Sequence, residues 1–279
     1  MNDARRRMVN VVMSSLSFGA AMLSIAPLIL ILAFLVYQGA SSVNLDFFIH
    51  LPKPVGEPGG GMANAIVGSI IMIGLASCVA IPLGILGGLY LAGGRDPRLP
   101  WLVRFTADVL NGVPSIVFGI FAYTVLVLPM RRFSALAGGF ALALIMVPIV
   151  LRTTEEMIRL VPGTFREAGL GLGLPEWKVD VRIVLPAARA GIVTGVMVAM
   201  ARIAGETAPL LFTALGNRFW HQGLDQPIAA LPLQIYAYAI APYDDWHRQA
   251  WAGALVLITL VLIASLAARL AIRRRVPAR

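Results

Sequence analysis

Two opposed charges sit where charge is costly. Arg202 and Glu206 lie four residues apart in an apolar stretch that reads Ala-Arg-Ile-Ala-Gly-Glu-Thr from Ala201. A charged side chain near the middle of a bilayer costs about 2.5–3.5 kcal/mol on insertion scales, so such residues face a bundle interior or a watery cavity. The arginine fork of donors matches the oxygens of an oxyanion such as phosphate. Glu206 can hold Arg202 in place and weaken anion binding, because conduction requires release as well as capture. An ion pair along one helix face that merely tolerates burial would use the same two residues. Thr207 follows Glu206 and joins the candidate pathway. Asn111 and Ser115 belong to it as well, at helical spacing in another apolar segment with Asp108 at its polar end. Asn111 and Ser115 would serve equally for hydrogen bonding between helices.

Chemistry beyond passage finds no support. The two lysines, Lys53 and Lys178, follow Pro52 and Trp177, so no Gly-Lys-Ser/Thr phosphate loop exists. The His-Glu-x-x-His zinc signature and the Gly-x-Ser-x-Gly nucleophile elbow are also missing. His50, His221 and His247 stand singly and form no metal set. Cys78, the one cysteine, reads as a small buried hydrophobe. The expectation is a chain with no catalytic residue, metal or cofactor of its own.

The elements that must position these side chains are membrane helices. Of 279 residues, 58% are hydrophobic and 13% charged, where a soluble domain is nearer half apolar and about a quarter charged. Apolar segments run over 11–37, 63–92, 104–128, 133–151, 191–215 and 249–271, each of a length to span. Lipid leaves backbone groups no outside partner, so all six should be helices. Pro82, Pro114, Pro148 and Pro209 fall inside them and should kink them. Pairs of small residues four apart, Gly84 with Gly88, Gly191 with Gly195 and Ala201 with Gly205, should let helices approach closely.

The net charge of +9 has the same explanation. With the N-terminus in the cytoplasm, 17 of the 23 Arg and Lys residues fall on the cytoplasmic side, and only Arg131-Arg132 sits awkwardly outside. Nucleic acid is not implied, since no basic and aromatic repeat accompanies the charge. The expected organisation is a cytoplasmic N-terminus (1–10), a six-span transmembrane domain (11–272) with a cytoplasmic loop at 153–190, and a cytoplasmic tail (273–279). An outer loop spans roughly 216–248, with Trp220, Tyr243 and Trp246 placed as interfacial anchors.

The cytoplasmic loop is the most informative stretch. Thr164 can cap a short helix that Gly169, Gly171 and Gly173 would end, and Pro175-Glu176 suits the start of a second. Phe165, Leu170, Leu172, Leu174, Trp177 and Ile183 put a large apolar surface there, which calls for a partner.

The loop also carries a motif. Glu167-Ala168-Gly169, then Gly173, Ile183 and Leu185-Pro186, resembles the Glu-Ala-Ala loop of binding-protein-dependent importer permeases at the family spacing, with Gly169 for the second Ala. Further segments resemble the phosphate permeases: Gly59 to Ser69, Ile81-Pro82-Leu83-Gly84-Ile85, Tyr90-Leu91-Ala92, Asn111 to Val117, and Gly205-Glu206-Thr207-Ala208-Pro209. The short N-terminus is more similar to the PstA type than to its PstC partner. Relatives commonly carry an acid and an aromatic after Tyr-Leu-Ala, where this chain has Gly93-Gly94.

The resemblance implies an all-α polytopic membrane protein of the type I ABC importer permease kind, with six spans and a cytoplasmic coupling helix. It implies residence in a bacterial inner membrane with both termini cytoplasmic. Implied partners are a PstC-type second permease, a PstB-type ATPase dimer that uses ATP and Mg, and an extracytoplasmic phosphate-binding protein. Glu167, Ala168, Gly169, Gly173, Ile183, Leu185 and Pro186 become the ATPase-docking elements. Sulfate, molybdate or an organic solute is an alternative cargo. An ATP-independent channel or secondary transporter is a more distant alternative, and would need no apolar docking loop.

Overall fold

The computed structural model describes residues 3–55, 57, 59–93 and 98–273. The turn around Arg95 and the tail 274–279 lie outside them. Among the described residues the chain is almost wholly helical. The helices are α1 (Asp3–Gly39), α2 (Leu45–Ile49), α3 (Ala63–Gly93), α4 (Arg98–Gly112), α5 (Ser115–Met130), α6 (Ala135–Arg159), α7 (Gly163–Gly171), α8 (Glu176–Ala204), α9 (Ala208–Leu211), α10 (Leu231–Ala239) and α11 (Asp244–Arg273). Five of them (α1, α3, α6, α8 and α11) are long and apolar enough to cross a membrane alone. A sixth crossing exists only if α4 and α5 count as one broken span.

The centre of the bundle is α6. It packs along α3 and α8 because small residues bring the backbones together. A Cβ on Gly84 would stand 2.6 Å from Val150, and one on Gly88 would stand 2.6 Å from Thr154. One on Gly195 would stand 2.6 Å from Thr153, and Gly191 lies against Met157 in the same way. Lipid tails are as apolar as leucine, so close van der Waals packing of this kind holds membrane helices together. Gly205 differs from the other small residues, meeting nothing nearer than the Arg202 carbonyl at 3.9 Å; it ends a helix. Cys78 lies on the outward face of α3, not in the core.

The bundle has two ends. Gly39 meets Trp251 at the start of α11, and the Phe34 and Trp251 rings touch edge to face 5.2 Å apart. This far end also holds the starts of α3 and α6. At the opposite end α3 finishes beside Arg166 and Asp180, on the elbow formed by α7 and the start of α8.

The far end is more built than a plain loop. Ser134 Oγ caps α6 by accepting from Ala137, and the Ser134, Ala135 and Leu136 amides donate to carbonyls of Thr213, Gln226 and Leu224. The unpaired N–H groups of the helix start are thereby satisfied by the segment after α9. Arg132 pairs with Asp225 at 2.7 Å, which gives one of the awkward outer arginines a local partner. Ile228, Ala229, Ala230 and Leu231 are buried, and α10 packs on α11. Trp246, expected as an interfacial anchor, stacks on Tyr238 at 4.5 Å and so ties α10 to α11.

Candidate functional site

Both helices expected to line a path are broken. The segment 104–128 was expected to be one span carrying Asn111 and Ser115 at helical spacing. Instead α4 stops at Gly112 and α5 starts at Ser115, bent by 102°. The local cause is Pro114, which disfavours helical backbone at Val113 and then opens α5 with a fixed φ. Asn111 and Ser115 therefore flank a corner. Spanning the ~30 Å hydrocarbon core takes about 20 helical residues, so the 16 residues of α5 are too few to cross unaided.

The segment 191–215 breaks too. Its helix begins far earlier, at Glu176, running through one wide turn at Asp180–Val184, and it ends at Ala204. Gly205, Glu206 and Thr207 are the interruption, and α9 follows with Pro209 in its first turn. Arg202 occupies the last turn of α8, and Glu206 lies beyond the helix, so the two do not share one helix face. Arg202 Nε is 3.9 Å from Glu206 Oε1, outside hydrogen-bond range. The arginine side chain is 48% exposed and the glutamate 17%. A guanidinium this open, beside a carboxylate that holds it loosely, retains donors for a passing anion.

The two broken segments meet. A Cβ on Gly119 of α5 would stand 2.6 Å from the Pro209 Cα, so α5 and α9 touch backbone to backbone. The contact lies one helical turn beyond Ser115 on α5 and two residues beyond Thr207 on α9, so it joins the elements that follow the two breaks. Irregular backbone at membrane depth is tolerated where protein buries it or a watery cavity takes it.

At the elbow the expected docking residues divide. Glu167, Ala168, Gly173 and Pro186 are exposed, whereas Gly169 is buried and Ile183 and Leu185 pack on the core. Gly169 is small for a reason, since a Cβ there would stand 2.8 Å from Ile183 and 2.9 Å from Val179. Gly173 has φ +78, and its amide donates to Leu170, closing α7. Thr164 does not cap that helix; Pro162 stands at the cap and Gly163 begins it. Phe165, Leu170, Leu172 and Trp177 project outwards, with Leu172 81% exposed, while Leu174 and Ile183 turn inwards. The second short helix expected at Pro175 is instead the start of α8, so the elbow feeds directly into the helix that carries Arg202.

Sequence reasoning missed Glu155. The loop was expected to begin at 153, yet α6 continues to Arg159 and buries Glu155 to 1% exposure. Three arginines surround it: Arg104 at 2.6 Å, Arg152 at 2.7 Å and Arg159 at 2.7 Å. Arg152 also pairs at 2.9 Å with Asp108, for which no partner was expected. The signal was available as Arg152, Glu155 and Arg159 at helical spacings of three and four.

Residues 80–276 match the model of a family described as binding-protein-dependent transport system inner membrane component. The chain belongs to that family. The match covers both helix breaks, the elbow and Glu155. The phosphate transport system permease protein PstA of Xylella fastidiosa (strain Temecula1) is 46% identical over 276 residues, covering 98% of this chain and 96% of that protein. The protein of that name from Yersinia pestis is 46% identical over 268 residues, covering 96% and 91%. PstA 1 of Mycobacterium tuberculosis (strain H37Rv) is 36% identical over 284 residues, covering 97% and 91%. Among solved structures, a chain of a bacterial alginate ABC transporter aligns with a TM-score of 0.64 at 13% identity, over 98% of this chain and 96% of that one. A chain of the MetNI methionine ABC transporter aligns at 0.59 with 16% identity, over 77% and 94%. At those identities the structural likeness establishes the fold alone, an all-helical multi-pass bundle; that the chain is an inner-membrane transport component rests on the family match.

Proposed function

We infer that this chain is the transmembrane permease subunit of an ATP-driven phosphate importer. One observation carries the reading: 46% identity to phosphate transport permeases over nearly the whole of both chains. Arg202 at a helix break favours an anionic cargo. The exposed apolar elbow favours a separate engine. Leu172, Trp177, Phe165 and Leu170 cluster beside Glu167 on a surface that a groove in an ATPase subunit can cover. The elbow and both termini would then be cytoplasmic, as the arginine bias requires. The complete machine would add a PstC-type second permease, a PstB-type ATPase dimer working on ATP and Mg, and an extracytoplasmic phosphate-binding protein.

In this scheme closure of the ATPases pushes the elbow. Because the elbow continues as α8, the push reaches the Gly205–Thr207 break without an intervening loop. Access to Arg202 then switches from outside to inside. The test is purification of the chain from native membranes with its companions, followed by reconstitution into vesicles. Phosphate uptake that needs ATP, the ATPase and the binding protein is the expected result. Uptake by this chain alone, or uptake of sulfate or molybdate in preference to phosphate, would overturn the reading.

A further inference from the structure

We propose that Glu155 is a positioning residue that locks helix α4 to the end of α6 beside the elbow, so that α4 and the end of α6 move as one lever on the helix break at Val113-Pro114. The proposal rests on the importer reading above. Its observations are independent of Arg202.

Glu155 accepts from arginines on two elements. Arg152 and Arg159 lie on its own helix, one on each side, and reach Oε2 and Oε1. Arg104 comes from α4 and reaches Oε1 through Nε. Its Nη2 donates to the Leu91 carbonyl at 2.8 Å, so the same guanidinium also grips the last turns of α3. Asp108, one turn further along α4, takes the second contact of Arg152. Two crossing bonds, Arg104 to Glu155 and Asp108 to Arg152, thus pin α4 to α6 at two points along its length. A single point would leave a pivot; two points fix an angle.

The knot stands where a push from the elbow must pass. Only three residues separate Arg159 from the start of α7. On its other side the end of α3 is backed by the elbow itself: a Cβ on Gly93 would stand 3.5 Å from Arg166 and 3.6 Å from Asp180, which pair with each other at 2.6 Å. The end of α3 is therefore held between the Glu155 knot and the elbow ion pair. From α4 the corner at Pro114 leads to α5, and α5 touches Pro209 beside the second break. Buried ion pairs are poor sources of net stability, and fixing a register is their best-attested use. A carboxylate buried to 1% exposure among three arginines fits that use.

The test uses the whole reconstituted complex and reads phosphate moved per ATP hydrolysed. Glu155→Gln keeps the shape and removes the charge. The expected result is a complex that assembles and hydrolyses ATP while the transport-to-hydrolysis ratio falls roughly tenfold, within the 5–150-fold range of typical coupling. Arg104→Lys, which keeps the charge but cannot bridge Glu155 and Leu91 at once, should lower the same ratio less. If Glu155→Gln does not assemble, Arg104→Lys decides: an unchanged ratio overturns the proposal and a reduced one supports it. A second readout needs no disruptive variant. Spin labels at exposed Val109 on α4 and Glu156 on α6 should keep one separation with and without ATP. A separation that changes with nucleotide overturns the rigid lever, and so does a wild-type ratio in Glu155→Gln. A wild-type complex that moves no phosphate sinks the importer reading instead, so the two failures are distinguishable.

Discussion

Arg202→Ala separates a pathway residue from a structural one because its two costs have different sizes. The pair with Glu206 is 3.9 Å apart and its arginine is half exposed, so its stabilising worth is that of a surface pair, about 0.2–1 kcal/mol. A half-exposed guanidinium keeps contact with water, so removing it returns little burial cost. The variant should therefore assemble about as well as wild type. Its effect on the anion is larger. Two opposite unit charges ~4 Å apart attract by about 4 kcal/mol at an effective dielectric of about 20. Halving that for the water that reaches a half-exposed guanidinium leaves about 2 kcal/mol, roughly thirtyfold in rate if the contact forms at the barrier. The assay is phosphate uptake by cells lacking other phosphate transporters, normalised to complex recovered by pull-down. Uptake within twofold of wild type at equal complex would refute the reasoning, and so would loss of uptake that tracks loss of the complex.

Other substitutions probe the bundle and the elbow. Gly88→Val should lower the melting temperature of the detergent-purified chain, because a Cβ there already meets Thr154 at 2.6 Å and the Leu151 carbonyl at 2.7 Å; overpacking of this kind costs about 1–3 kcal/mol. Gly74→Ala, inside α3 with nothing within 4 Å, should leave that temperature unchanged or raise it slightly, since it gains helix propensity of about 1 kcal/mol and meets no neighbour. Gly169→Ala adds a methyl 2.9 Å from Val179, whose branched side chain is fully buried and has no room to turn away, so overpacking of about 1–3 kcal/mol should outweigh a helix-propensity gain of about 1 kcal/mol and lower the melting temperature. Leu172→Asp should spare folding, since the side chain is 81% exposed, and should cut co-purification of the ATPase about tenfold, the loss of one buried leucine contact.

What could be read from sequence was whatever depends on local composition. The stretch from Ala63 to Gly93 is apolar without a break, and its structure is one helix to within a residue of the expected end. The family spacing around Glu167 located the elbow. Prolines were harder to read. Pro82 and Pro148 sit inside unbroken helices, whereas Pro114 and Pro209 stand at helix starts. Neighbouring helices can re-satisfy the backbone groups a membrane proline frees, so the residue type alone does not fix the outcome. The difference lies in context, since Gly112 precedes Pro114 and Gly205 precedes Pro209 by a few residues, weakening the helix ahead of each. Glu155 was missed because hydropathy closes the span where charges begin. Burial among Arg104, Arg152 and Arg159 depends on α4 packing against the end of α6, which no local pattern records.

The same geometry explains why breaks and charges coincide. A continuous helix satisfies its own backbone and gives a polar solute nothing to hold, so a path through a helical bundle needs interruptions. Here they are placed on the two elements that touch at Gly119 and Pro209, and each interrupted element is anchored at its other side to the elbow end: α8 by direct continuation and α4 through Arg104. Motion at the elbow can therefore reach the contact by two routes of different stiffness, one a helix under axial load and the other a lever with a corner. If both routes carry the motion, stiffening the corner should slow transport without touching Arg202, whereas stiffening the middle of α6, which joins neither break to the elbow, should only raise stability.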